Sequence, residues 1–241
     1  MRINWGRLAG SVVAGIIVAG CIFGTALVVH PESPLPKGWN PLEPLHVTDT
    51  PGPLTHWKLQ RAMRDPLACR AAVIGITRLK DAAGPAEPRV QCQIADPVEA
   101  SEIANATVTP FLTNCGTALA TTMWIFHGVQ PLADAYFGSP VRQIFHLGSY
   151  NCRQIRTLSG PSNRWSTHAT ARAIDVTGFQ LADGREVDLA SDWDDGSDKS
   201  EFLRNAQSSG CRWFTGVLGP DFNALHADHF HFQLGGSTIC R

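Results

Sequence analysis

Residues 226 to 232 read "HADHFHF", which places His226, Asp228, His229 and His231 within seven positions, beside Phe230 and Phe232. Neutral imidazole and carboxylate are the usual ligands of zinc, and a catalytic zinc site takes three protein ligands while leaving a fourth position for water. A further ligand and a fourth candidate occur upstream in "STHATARAIDVTGF", as His168 and Asp175. If residues 173 to 177 form a strand, alternation puts Ala173, Asp175 and Thr177 on one face and Ile174 and Val176 on the other. Asp175 then sits in an otherwise apolar strand, where a carboxylate needs a cation or several hydrogen bonds to offset its desolvation. In "HFHF" the same alternation puts His229 and His231 on one face and turns Phe230 and Phe232 into the core. Two strands and the loop before the first thus bring His168, Asp175 and His231 to a three-ligand pocket with an open position. His30, His46, His56 and His127 lie outside this pattern and read as surface or satisfied core residues; His146, on a strand leading to "GSY", reads first as structural.

The elements that must position these residues are mixed. "LTHWKLQRAMRDPLAC" has helical spacing and should stop near Pro66. "CGTALATTMWIFHGV" suits a buried helix broken at Gly128 and Pro131. "VRQIFHLGSY" reads as a strand with Val141, Gln143, Phe145 and Leu147 on one face and Ile144 and His146 on the other. "AIDVTGFQL", "RWFTGVL" and "HFHFQLG" are further strands, and "SDKSEFLRNAQSSG" is a helix capped by Ser197 and ended by Gly210. With no regular βαβ rhythm and no internal repeat, the expected fold is α+β with a mainly antiparallel sheet and flanking helices.

The 241-residue chain carries a formal charge of -1 and is 44% hydrophobic. Its Lys and Arg residues are scattered, so no basic stripe marks a nucleic-acid partner. After "MRINWGR" comes an uncharged run, residues 8 to 29, about long enough to span a bilayer as a helix with the N-terminus inside. Residues 1–29 are therefore expected to be a membrane anchor or signal segment; "VAGC", ending at Cys21, also resembles a lipoprotein processing site. All these routes export the remainder of the chain. Residues 30–53 hold seven of the sixteen prolines and read as a semi-extended linker. Residues 54–110 are expected to form a disulfide-tied accessory region, and 111–241 the main domain. Six spaced cysteines with no CxxC pair read as three disulfides in an exported protein. Proximity in sequence pairs Cys69 with Cys92 and Cys211 with Cys240, leaving Cys115 with Cys152.

The order Ser166, His168, Asp175, then Asp228 and His231 resembles the zinc peptidase superfamily of D-Ala-D-Ala carboxypeptidases, murein endopeptidases and the hedgehog signalling domain. "HxxHxH" at His226, His229 and His231 is closest to the murein endopeptidase version. "FGSPVRQIFHLGSYNCR", "THATARAIDVTGF", "FLRNA", "CRWFTGVLGPDFNALHADHFHF" and the terminal "CR" resemble the bacterial extensin-like C-terminal domain family over roughly residues 40 to 241. That family's name echoes plant wall glycoproteins and is no evidence of their function. The resemblance implies a hedgehog/D-Ala-D-Ala peptidase-like fold and a zinc ion held by His168, Asp175 and His231. Asp228 takes the place of the superfamily's acidic base, provided the strand starts after it; His229 is the alternative base, or a donor to the developing oxyanion. His226 would support the ligands, and Arg153 and Ser166 would contact substrate. Ala171 departs from the glycine usual three residues after the first histidine. The function implied is hydrolysis of peptidoglycan stem peptides, as D,D-carboxypeptidase or endopeptidase, by a protein held in the bacterial inner membrane with its domain in the periplasm. The alternative is a non-catalytic envelope or wall-binding protein that keeps the metal-site fold.

Overall fold

The computed structural model describes residues 5–30, 32–87 and 89–241. Met1–Asn4, which include Arg2 of the basic flank, fall outside the described residues. Two compact units emerge, one of residues 1–45 and 49–58, the other of 46–48 and 59–241.

In the first unit, helix α1 (Trp5–Val29) forms because residues 8 to 29 contain no charge and no proline. Its 25 residues span about 37 Å at 1.5 Å each, enough for a hydrocarbon core of about 30 Å. Its Val12–Val29 stretch is exposed, and Cys21 is an exposed free thiol. The Ser33 hydroxyl and the Asn40 amide donate to the carbonyls of Leu27 and Val28, at 2.7 and 3.2 Å, and so satisfy groups that a helix end leaves open. The proline-rich stretch after α1 forms turns, with neither helix nor strand among its described residues.

Helix α2 (Thr55–Ala62) crosses from the first unit to the second, and α3 (Pro66–Ala72) comes after it. Pro66 thus opens a helix as well as closing the spacing before it. Its missing N–H is one that a first turn leaves unused anyway, and the Asp65 carboxylate caps the Leu67 and Ala68 amides. Strands β1 (Arg78–Asp81), β2 (Pro97–Ile103) and β3 (Ala106–Asn114) come next. They are succeeded by α4 (Cys115–Trp124), a π-helical turn at Ile125–Val129, and α5 (Gln130–Phe137). The expected break at Gly128 and Pro131 does not occur. The wider turn carries the chain through, and Pro131 lies in the first turn of α5, where it can be accommodated.

Strands β4 (Val141–Gly148), β5 (Gln154–Thr157), β6 (Gly160–Trp165), β7 (Ala173–Leu181) and β8 (Glu186–Asp188) then precede helices α6 (Leu189–Asp192) and α7 (Asp198–Gly210). Ser197 caps α7 through the Lys199 amide, as expected. Strands β9 (Gly216–Leu218), β10 (Phe230–Gln233) and β11 (Ile239–Cys240) complete the chain.

Among the described residues, nine strands make one sheet in the order β1-β2-β3-β4-β7-β10-β9-β11, with β8 also on β7, while β5 and β6 form a separate hairpin. Pairing is antiparallel except at β3/β4 and β9/β11, so the fold is α+β with a mixed, mostly antiparallel sheet. Residues 54–110, expected to be an accessory region, supply three strands of this same sheet. In β4 the expected two-face alternation fails: Val141 and Ile144, three apart, are both buried because the register slips between Val141 and Gln143.

The core lies where α4 and α7 cover β7 and β10. Trp124 packs against Phe232 at 4.2 Å and Phe179 at 6.0 Å, and Phe202 meets Phe179 edge-on. The Trp124 indole donates to the Ala206 carbonyl at 2.8 Å, so its one polar atom is satisfied inside. Three disulfides join Cys69 to Cys115, Cys92 to Cys152 and Cys211 to Cys240. The last is the expected pair; the other two correct the sequence-proximity pairing. Docking of α3 on the start of α4 brings the Cys69 and Cys115 Cα atoms to 6.2 Å, and the Cys92 loop lies 5.4 Å from Cys152.

Candidate metal centre

The register of β7 on β10 builds the site. His231 is the direct antiparallel partner of Asp175, flanked by the pairs Phe230/Val176 and Phe232/Ile174. Phe230 and Phe232 are fully buried in the core, so alternation turns His231 and Asp175 to the opposite face. His168 arrives on a short 3-10 turn, Thr167–Thr170, whose first amides are capped by the Ser166 hydroxyl accepting from the His168 N–H. Ala171 ends that turn in the left-handed region, at φ 52°. A glycine would adopt this without strain. Alanine is held there because its carbonyl accepts from the Asn114 amide, the Thr117 hydroxyl and the Ser149 hydroxyl at 3.0, 2.9 and 3.3 Å.

Three ligand atoms meet: Asp175 Oδ1 lies 3.1 Å from His168 Nε2 and 2.8 Å from His231 Nδ1, and the two nitrogens are 3.1 Å apart. Their outer partners fix what those atoms carry. His168 Nδ1 lies 2.9 Å from the Ser149 carbonyl, which can only accept, so the proton is on Nδ1 and neutral His168 has a lone pair on Nε2. His231 Nε2 lies 3.0 Å from Gln233 Oε1, and the Gln233 amide orientation is set by its Nε2 donating to the Gly235 carbonyl at 3.2 Å. With an ion at the shared point, neutral His231 would therefore keep its proton on Nε2 and offer the Nδ1 lone pair. In that state two lone pairs and a carboxylate oxygen converge on one point, where a cation could be held. Ligands on a tetrahedral zinc at 2.0–2.1 Å lie roughly 3.3 Å apart, close to the spacing here. The donor set therefore fits a zinc ion. Burial pushes the Asp175 carboxyl up, and positive charge at the two imidazole positions is what would hold it below the usual carboxylate range.

Asp175, His226, His229, His231, Arg153 and Ser166 line one cleft of about 1240 Å3. His168, 3% exposed, lies beneath its floor. His229 precedes β10 rather than alternating within it. Its Nδ1 lies 2.8 Å from the Asp228 carboxylate, so the neutral ring has an Nε2 lone pair, 3.9 Å from Asp175 Oδ1. The Asp228 side chain is 65% exposed, bonds His229 and is not among the described residues lining the cleft, whereas His229 is 12% exposed. His226 Nδ1 donates to Asn223 Oδ1 at 2.8 Å. Burial, with the neighbouring His231 and His229 adding to it, lowers the His226 pKa to about 4. The Arg153 guanidinium is lowered by burial and by Arg156, against the pull of Asp175. His146 Nε2 bonds the Thr109 carbonyl and its ring packs on Phe111, apart from this cleft.

Sequence reasoning missed Ser149, Thr167 and Gln233, which orient the ligands. Gln233 had a signal, since it is two residues beyond His231 on the same strand face. Ser149 had none, because its contact is made by a backbone carbonyl.

Among known proteins, residues 67–241 match the family model described as extensin-like protein C-terminus. No curated protein and no solved structure matches the chain.

Proposed function

The chain belongs to the extensin-like protein C-terminus family, and from that footing and the site geometry we propose that it is an exported, membrane-tethered zinc peptidase. Its substrates are peptidoglycan stem peptides, cut as a D,D-carboxypeptidase or endopeptidase on a hedgehog/D-Ala-D-Ala peptidase-like fold. The observation that carries this reading is the convergence of His168 Nε2, Asp175 Oδ1 and His231 Nδ1 within 3.1 Å. Zinc held there would supply Lewis-acid polarisation of a carbonyl and a water acidified toward neutrality. His229 is the base. Its Nε2 faces the site from beside Asp175, while Asp228 holds the proton on Nδ1, so the ring can take a proton from water and return it to the leaving amine. Arg153 binds a substrate carboxylate. Arg156 and Arg164 also line the cleft, and Asp175 is the one acidic residue among the described lining, which favours an anionic ligand.

On this reading helix α1 is a single-pass anchor in the inner membrane with the domain in the periplasm, beside its substrate; processing and lipidation at Cys21 is the alternative route to the same side. Three disulfides suit that compartment. A second reading, a wall-binding protein without turnover, is favoured by the exposure of Asp228, which leaves Asp175, a ligand candidate, as the one carboxylate among the described cleft lining. Metal analysis of the detergent-solubilised chain tests the site: about one zinc per chain, removed by chelator and absent from His168→Ala, is expected. Release of amino acid or peptide from muropeptides should vanish with the metal. A metal-free wild type, or turnover that persists in His168→Ala, overturns the peptidase reading; zinc without turnover establishes the second.

A further inference from the structure

Gln233 ends β10 on the same face as His231, and its amide has three defined partners. Oε1 accepts from His231 Nε2 at 3.0 Å and from the Thr167 hydroxyl at 3.2 Å, while Nε2 donates to the Gly235 carbonyl at 3.2 Å. The socket around it is cleared of side chains. A Cβ at Gly216 would lie 2.6 Å from Gln233 Cγ and 2.8 Å from its Nε2, and one at Gly236 would lie 2.9 Å from Nε2. Gly235 and Gly236 both hold positive φ, which shapes the turn that presents the Gly235 carbonyl.

We propose that Gln233 is a positioning residue that selects the Nε2–H tautomer of His231, leaving Nδ1 free to bind metal, and that through Thr167 it couples His231 to the turn carrying His168. The inference rests on the proposed metal site. With the amide reversed, an NH2 group would face His231 Nε2, and the ring proton would move to Nδ1. There it would occupy the space shared with His168 Nε2 and Asp175 Oδ1, 3.1 and 2.8 Å away. The Gly235 carbonyl opposes that reversal, because it would then face the amide oxygen. Gln233 thus competes with Asp175 for the His231 ring proton and draws it to Nε2, and Thr167, next in sequence to His168, shares the acceptor that does so.

The test compares the full-length wild type with Gln233→Met, which removes the acceptor at similar length, and Gln233→Glu, which keeps an acceptor. Two quantities are read: zinc affinity by competition with a chelator, and the His231 tautomer from imidazole 15N shifts of the zinc-free protein at mildly alkaline pH. The wild type should show Nε2–H. Gln233→Met should populate both tautomers and bind zinc roughly 10–100-fold more weakly, the usual cost of losing a partner behind a ligand. Gln233→Glu should keep the Nε2–H tautomer and hold zinc at least as tightly as Gln233→Met, which a packing role alone would not restore. A wild-type proton on Nδ1, a Gln233→Met variant that keeps tautomer or affinity, or weaker binding by Gln233→Glu than by Gln233→Met would overturn the inference. Should Gln233→Met fail to fold, loss of the Nε2–H tautomer in Gln233→Glu would overturn it. A wild type that binds no zinc would defeat the proposed function instead, and the zinc-free tautomers would still decide the role of Gln233.

Discussion

Replacing His229 and Asp228 separately should separate the base from the residue that orients it. His229 is 12% exposed, its Nδ1 is engaged by Asp228 at 2.8 Å, and its Nε2 lies 3.9 Å from Asp175 Oδ1, a spacing that leaves the ring within reach of a water at the site. A positioned general base contributes about 10^2–10^4-fold. His229→Ala should therefore lower kcat/KM for muropeptide cleavage by that factor, about 3–5 kcal/mol at 1.36 kcal/mol per tenfold. The Asp228 side chain is 65% exposed, and an ion pair in solvent is worth about 0–1 kcal/mol. Asp228→Asn, whose amide oxygen can still accept from Nδ1, should therefore cost no more than about fivefold. Zinc content, measured on each variant, should be unchanged, since neither residue supplies one of the three converging atoms. The two effects should differ by at least about twentyfold, with His229 the larger. The reverse order would make Asp228 the base and refute the assignment drawn from its exposure, while two near-wild-type variants would refute hydrolysis by this route.

The same geometry sets three further outcomes. His226, lowered to about 4 from 6.5, takes up its proton in the unfolded chain before the folded one; its contribution to stability is therefore full above pH 6.5 and is lost as pH falls toward 4. His226→Asn should flatten the zinc-free protein's thermal stability across that window by about 1–3 kcal/mol, allowing for partial exposure, and an unchanged pH slope would contradict the assigned burial. The Cys92–Cys152 bridge spans 60 residues in sequence, and opening it in a double Ser variant should cost about 4 kcal/mol by loop entropy, read by chemical denaturation. Non-reducing peptide maps should recover Cys69–Cys115, and a Cys69–Cys92 peptide would refute this connectivity. Arg153→Ala should raise KM about 10–100-fold for a stem peptide with a free carboxylate, with Lys a poor substitute. The matching C-terminal amide should be insensitive, and an equal effect on both would deny Arg153 that contact.

What could be read from the sequence was whatever strand alternation decides. "AIDVTGFQL" runs as β7 over Ala173–Leu181, and "HFHF" does turn its phenylalanines inward, because a two-residue period is visible in the chain itself. What failed was whatever depends on a slip or on distant docking. A bulge between Val141 and Gln143 defeats alternation in β4, and a second between Ala100 and Glu102 interrupts β2, in the stretch read as an accessory region. Two of the three cysteine pairs were missed for the same reason: docking of α3 on α4 is a tertiary event, and nothing near Cys69 in sequence announces it, whereas Cys211–Cys240 followed from proximity.

The site was legible in its ligand types but not in its protonation. Composition alone leaves His168 and His231 as rings with two equivalent nitrogens; the fold makes them inequivalent by placing an obligate acceptor behind each, the Ser149 carbonyl and the oriented Gln233 amide. Neither acceptor touches the shared point, yet together they compete with Asp175 for the ring protons and so favour lone pairs there. Had either been a donor, one imidazole would present N–H to Asp175, and the trio would be a satisfied hydrogen-bond cluster that needs no ion. The case for a cation at His168, Asp175 and His231 therefore rests as much on the partners behind the ligands as on the ligands, and Gln233 is the partner whose side chain can be changed to test it.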